Sequence, residues 1–142
     1  MTQIENLERW VVALRSGKYK QGHYMLRDVN NKFCCLGVAC DILHPEAWSA
    51  TAVDMIGDAR LRFYLSDVVN DVVIRAGSYL NEFCSYSFIP IHMLKELGIT
   101  DEMQRDLTVM NDDGYDGSKS FSEIADYIEQ TIIPIVKNQP TL

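Results

Sequence analysis

Phe33-Cys34-Cys35-Leu36-Gly37-Val38-Ala39-Cys40-Asp41 is the stretch on which the fold turns. Its nine residues carry one charge, and they read as core, a strand first and then a short helix. The residues before it favour a strand at its start. Tyr24-Met25-Leu26-Arg27 and Phe33-Cys34-Cys35-Leu36 flank Asp28-Val29-Asn30-Asn31-Lys32. The Asn pair there tolerates the positive φ of a tight turn, so a β-hairpin is expected. Gly37 then breaks the second strand, and Val38, Ala39, Ile42 and Leu43 form a short buried helix stopped by Pro45.

On the N-terminal side, Thr2 and Glu5 have capping-box spacing, and Ile4, Leu7, Val11 and Leu14 recur at helical intervals. Trp10 and Val12 widen this stripe, and Gly17 suits a left-handed C-terminal cap, so a helix is expected over about residues 3–16. On the C-terminal side, Pro90 opens a short helix with Ile91, Leu94 and Leu97, ended by Gly98. Thr100 caps a helix carrying Met103, Leu107 and Met110. After the loop from Asn111 to Lys119, Ser120 and Glu123 form a second capping box before Ile124, Ile128 and Ile132, and Pro134 ends that helix. Residues 46–88 stay open between two readings. Leu61, Leu65, Val68 and Val72 fit a helix, whereas Phe63-Tyr64-Leu65 and Val72-Val73-Ile74 are strand formers around a possible Asn70-Asp71 turn. There is no repeat or low-complexity tract, so residues 1–142 are expected to be one domain. The fold class expected is α+β, with an N-terminal helix and C-terminal helices packed on a small antiparallel sheet that includes the hairpin.

Composition limits function. Thirteen Lys+Arg against twenty Asp+Glu give a net charge of −7, which argues against extended nucleic-acid binding. The acidic residues are dispersed rather than blocked, which argues against mimicry of DNA. No run is apolar enough to span a membrane, and the start of the chain has no signal-peptide pattern, so a cytoplasmic protein is expected. Cys34, Cys35, Cys40 and Cys84 make a poor disulfide framework and read as reduced thiols.

Three stretches carry a family resemblance. They are Arg9-Trp10-Val11-Val12-Ala13-Leu14-Arg15-Ser16-Gly17-Lys18-Tyr19-Lys20-Gln21-Gly22, then Phe33 to Asp41, then Met110-Asn111-Asp112 with Ser120-Phe121-Ser122-Glu123-Ile124-Ala125-Asp126-Tyr127-Ile128-Glu129. In that order they resemble a family of small proteins of unknown function encoded by bacteriophages and prophages. Ile89-Pro90 and Leu97-Gly98-Ile99 are similar to further family positions, while residues 46–78 have no counterpart. The resemblance implies a phage origin and a bacterial host cytoplasm. It implies no catalytic residue.

Three groups could carry function. A thiol at a strand-to-helix junction can become a nucleophile, which makes Cys34 or Cys35 the centre of a cysteine-dependent enzyme, with His23, His44 and His92 as the available bases. The simpler reading is that Cys34, Cys35 and Cys40 are small hydrophobes of the core. Their spacing is not a usual zinc pattern, and no metal ligand or cofactor motif is assigned. In the loop 112–123, Asp112, Asp116, Gly117 and Glu123 fall at EF-hand positions one, five, six and twelve, but Gly114 and Lys119 do not fit positions three and eight. A calcium-responsive module is one alternative; a capped helix behind a turn is the other. Last, Arg15, Lys18, Tyr19, Lys20, Gln21 and Arg27 form a basic, aromatic cluster in an acidic chain. Such a cluster can hold a phosphate-bearing small molecule or an acidic protein surface, or can be a solvated strand edge. Walker, dinucleotide, nucleophile-elbow and zincin motifs are all absent. The leading expectation is a non-enzymatic binding protein that sequesters a host factor or a phosphate-bearing signalling molecule, as in counter-defence, with homo-oligomerisation left open.

Overall fold

The computed structural model describes residues 2–28, 30–55, 58–66, 84–85, 89, 91–112 and 118–139. Helix α1 runs Gln3–Arg15 and begins where expected, with Thr2 Oγ1 accepting the Glu5 N–H at 3.1 Å. Gly17 follows with φ +76°, as a left-handed cap requires. The buried stripe of α1 is Leu7, Trp10, Val11 and Leu14.

The central stretch is a helix, α2, Cys35–Leu43, starting three residues earlier than the sequence suggests. Cys34 is its N-cap, so Cys34-Cys35-Leu36 is not a strand. Residues 35–40 are buried on every side, as in a helix apolar all round. Gly37 does not break a strand. It lies within α2 so that the helix can press against the backbone of Leu26.

The hairpin expectation is corrected accordingly. The chain does turn back over Asp28 to Lys32: Asp28 Oδ1 accepts the N–H groups of Asn30 and Lys32, and Asn31 has φ +59°. Of that hairpin, one antiparallel bridge, Arg27 with Phe33, remains among the described residues. The main pairing of Phe33 is instead parallel, between β1 (Lys20–Gln21) and β2 (Lys32–Phe33). Helix α2 begins at Cys35, which leaves no residues to extend an antiparallel ladder.

After a 3₁₀ turn at Pro45–Ala47 come β3 (Trp48–Met55) and β4 (Asp58–Ser66), an antiparallel pair, with β5 (Cys84–Ser85) on the far edge of β4. Phe63-Tyr64-Leu65 therefore takes the strand alternative. The readings placed on 67–83, on Pro90 and on 113–117 lie outside the described residues.

The C-terminal helices are α3 (Ile91–Leu97), α4 (Asp101–Asp112) and α5 (Phe121–Tyr127). Gly98 follows α3 at φ +73°, Thr100 Oγ1 accepts the Met103 N–H at 3.1 Å, and Ser120 with Glu123 forms a reciprocal capping box. Pro134 does not end the last helix. The chain passes through a π turn at Ile128–Ile132 into α6 (Ile133–Lys137), so Pro134 falls in a new first turn, where its missing N–H is tolerated.

The core is helix on helix. Helix α1 packs against α2, α3, α5 and α6, while α4 packs against α2 and α5. The α+β class holds, but the arrangement is mostly helical: a two-stranded parallel sheet lies beside α2 where the hairpin was expected, and the antiparallel strands β3, β4 and β5 form a separate sheet that does not include residues 24–36. Among the described residues, no helix is long and apolar enough to cross a membrane.

Candidate functional site

The cysteine group belongs to the core. Cys34 is 6% exposed, and Cys35 and Cys40 are fully buried. Burial pushes the Cys34 thiol up to about 12 and the other two well above their ordinary value. A thiol held protonated at neutral pH is a poor nucleophile. The Cys35 Sγ faces the Leu107 carbonyl at 3.6 Å, and the Cys35 carbonyl accepts the Trp10 indole N–H at 2.9 Å. The group joins α1, α2 and α4.

Asn111, fully buried at the end of α4, fixes the start of α2. Its Oδ1 accepts the Cys35 N–H at 3.1 Å and the Gln21 side-chain amide at 3.0 Å. Its Nδ2 donates to the Gly22 carbonyl at 2.9 Å and to Asp112 Oδ1 at 2.7 Å. One amide therefore holds the N-terminus of α2, the end of β1 and the end of α4 together.

The six residues of the basic cluster are not gathered into one site. Arg15 forms ion pairs with Asp126 at 2.6 Å and Glu129 at 3.2 Å across to the last helices. Gln21 is held by Asn111 and by the Lys119 carbonyl. Tyr19 donates to Asp41 Oδ2 at 2.7 Å; partial burial, reinforced by this carboxylate, pushes its phenol up to about 12. Arg27 bonds Asn31 and stacks 5.5 Å above the Phe33 ring and 5.4 Å from the Trp48 ring. Trp48 in turn donates its indole N–H to Asp41 Oδ1 at 2.9 Å, and Phe33 meets Tyr19 edge-on. Among the described residues no ion pair involves Lys18 or Lys20.

Lys18 and Tyr19 instead line an open groove of about 640 Å³ with Glu5, Glu8, Arg9 and Val12 of α1, and Ile42 of α2 closes it. Val12, which the sequence places on the apolar stripe, is 67% exposed. A second depression, lined by Arg15, Glu129, Ile133 and Lys137, meets the first along Glu8 and Val12. The solvent face of α1 thus carries one exposed valine with charges of both signs beside it.

A family model described as a domain of unknown function, DUF8296, matches residues 2–132. The chain belongs to the DUF8296 family. No curated protein and no solved structure matches it. The DUF8296 match takes in α1, the groove, the buried thiols and the Asn111 junction. It also takes in the 112–123 loop, where Glu123 accepts the Ser120 N–H, which holds its carboxyl below the usual range, and Asp112 accepts the Tyr24 N–H at 3.0 Å. Both of these carboxylates already have partners within the protein.

One cluster in the DUF8296 chain escaped the sequence reading. His44, His92 and Glu96 present ligand-type atoms that all lie within 4.8 Å of one another. His92 and Glu96 are four apart on α3, which places both on one face, and that spacing was the available signal. His44, 52 positions before Glu96 and just beyond α2, carries none.

Proposed function

We propose that this DUF8296 protein is a phage-encoded binding protein that acts in the host cytoplasm by capturing a host protein along the exposed face of α1. Supporting the origin is the likeness of Arg9–Gly22, Phe33–Asp41 and Ser120–Glu129 to phage and prophage proteins. A role in counter-defence follows from that origin by analogy. The carrying observation is Val12, 67% exposed on the shared edge of two depressions. A large aliphatic side chain in that setting favours a partner with an apolar contact and charges on its rim.

Between the two ligand classes raised by the sequence, the groove favours protein over phosphate. Arg9 and Lys18 line it, but so do Glu5 and Glu8, whose carboxylates oppose a compact anion. Arg15, the other cation of the cluster near α1, is already paired with two carboxylates.

The test begins with the partner captured from host lysate on the full chain. Its affinity is then compared for wild type, Val12→Asp, Lys18→Glu and the distal Lys20→Ala. The proposal expects Val12→Asp to weaken binding at least tenfold, about 1.4 kcal/mol, with Lys20→Ala near wild type. Equal affinity in all four removes the groove. Saturable nucleotide binding that Lys18→Glu abolishes would favour the phosphate ligand instead.

A further inference from the structure

We propose that His44, His92 and Glu96 form a binding site for a divalent transition-metal cation of the zinc class, with solvent completing the coordination. His44 Nε2 lies 2.7 and 2.8 Å from the two Glu96 carboxylate oxygens, and His92 Nε2 lies 2.7 Å from Oε1 of the same group. Two imidazole nitrogens and a carboxylate are the donor set of open zinc sites. In a tetrahedral site with bonds near 2.05 Å, neighbouring donors stand about 3.3 Å apart. Glu96 therefore has to withdraw from each imidazole by about 0.6 Å, and the two imidazole nitrogens, within 4.8 Å of each other, have to take up the same spacing.

The surroundings suit an ion at this trio. Glu46 Oε1 stands 3.5 Å from His44 Nδ1, the nitrogen facing away from the cluster. A carboxylate in that position orients a metal-bound imidazole and raises its basicity. The backbones carrying the donors are fixed independently of the cluster. Asn6 Nδ2 donates to the Glu96 carbonyl at 2.9 Å and Gln3 Nε2 to the Lys95 carbonyl at 2.9 Å. Arg9 holds the Ile42 carbonyl at 3.0 Å, and the His44 N–H bonds the Cys40 carbonyl at 2.8 Å. The side chains of His44 and Glu96 are about three-quarters shielded, while that of His92 is 56% exposed, which leaves an entry path and a face for water. A cation here ties the end of α2 to α3.

The experiment uses tag-free, metal-stripped full-length protein, titrated with Zn²⁺ by calorimetry and with Co²⁺ by absorption spectroscopy. The proposal expects one equivalent bound and visible Co²⁺ ligand-field bands of nitrogen and oxygen ligation, without intense thiolate charge transfer in the near ultraviolet. His92→Ala and Glu96→Gln each lower the affinity at least tenfold, and His23→Ala leaves it unchanged. His92 is half-exposed, so its truncation spares the core, and an unchanged circular dichroism spectrum verifies the fold. Absence of stoichiometric binding, binding indifferent to both substitutions, or a thiolate spectrum would each overturn the assignment.

Discussion

Gly37→Ala separates two opposed expectations. Alanine in a helix interior is favoured over glycine by about 1 kcal/mol, so helix propensity alone predicts stabilisation. The packing predicts the reverse. A Cβ at position 37 would sit inside the contact distance of the Leu26 carbonyl oxygen, 2.7 Å from its carbonyl carbon and 3.1 Å from its Cα. These are backbone atoms of a residue with 0% exposure, so no flexible side chain can yield. Either α2 or the Leu26 segment must move, and overpacking of this kind costs about 1–3 kcal/mol or more beyond the propensity gain. The expected net loss is about 2 kcal/mol, read as a lower urea midpoint and a fall in Tm of roughly 4–8 °C. Gly17→Ala is the control. It has nothing within 4 Å of the added carbon, and its φ of +76° leaves only the left-handed strain of about 1–2 kcal/mol. A Gly37→Ala protein as stable as wild type, or more stable, would refute the close approach of α2 to Leu26.

Two other perturbations probe the same junction. Asn111→Ala strips partners from the Cys35 N–H, the Gly22 carbonyl and the Gln21 amide, and is expected to cost about 2–4 kcal/mol in a urea titration, against under 0.5 for an ordinary surface substitution. Alkaline pH should destabilise the fold. The folded state keeps the Cys34 proton to about 12, whereas the unfolded thiol loses it above 9.0, so the stability from this group is complete below pH 9 and falls as pH rises toward 12. Each such thiol adds a slope of about 1.4 kcal/mol per pH unit across that window. Cys34→Ala should flatten the urea midpoint between pH 9 and 11 by one thiol's share, and an identical slope in both proteins would contradict the burial of Cys34.

Helix ends were legible in the sequence because their signals are local. Thr2, Gly17, Gly98, Thr100 and the Ser120–Glu123 pair each act within four residues of themselves. The body of the central helix, Val38 to Leu43, was legible, but its first turn was not, because Cys34 to Cys40 is apolar on every face and has no period to read. What makes it helical is remote: Asn111 caps it from the end of α4, and Leu26 fits against Gly37. Pro134 was misread for a related reason, since a π turn shifts the register ahead of it. The basic cluster was visible as composition, but its partners Asp41, Asn111, Asp126 and Glu129 come from distant segments. Those partners decide which cations remain at the groove. Val12 looked like core because it borders the stripe, and only the packing of α1 against its neighbours leaves it outside.

Function by surface recognition requires the three thiols to lie in the interior, and site-resolved thiol labelling tests that placement most directly. Native protein is treated with a small alkylating reagent at pH 8, and modification at each cysteine is followed by peptide mass mapping with and without denaturant. Cys34, Cys35 and Cys40 are predicted to stay unmodified until the protein unfolds, at rates set by global opening. Rapid labelling of any of the three in the native state would contradict the account and restore a reactive thiol as the centre of function.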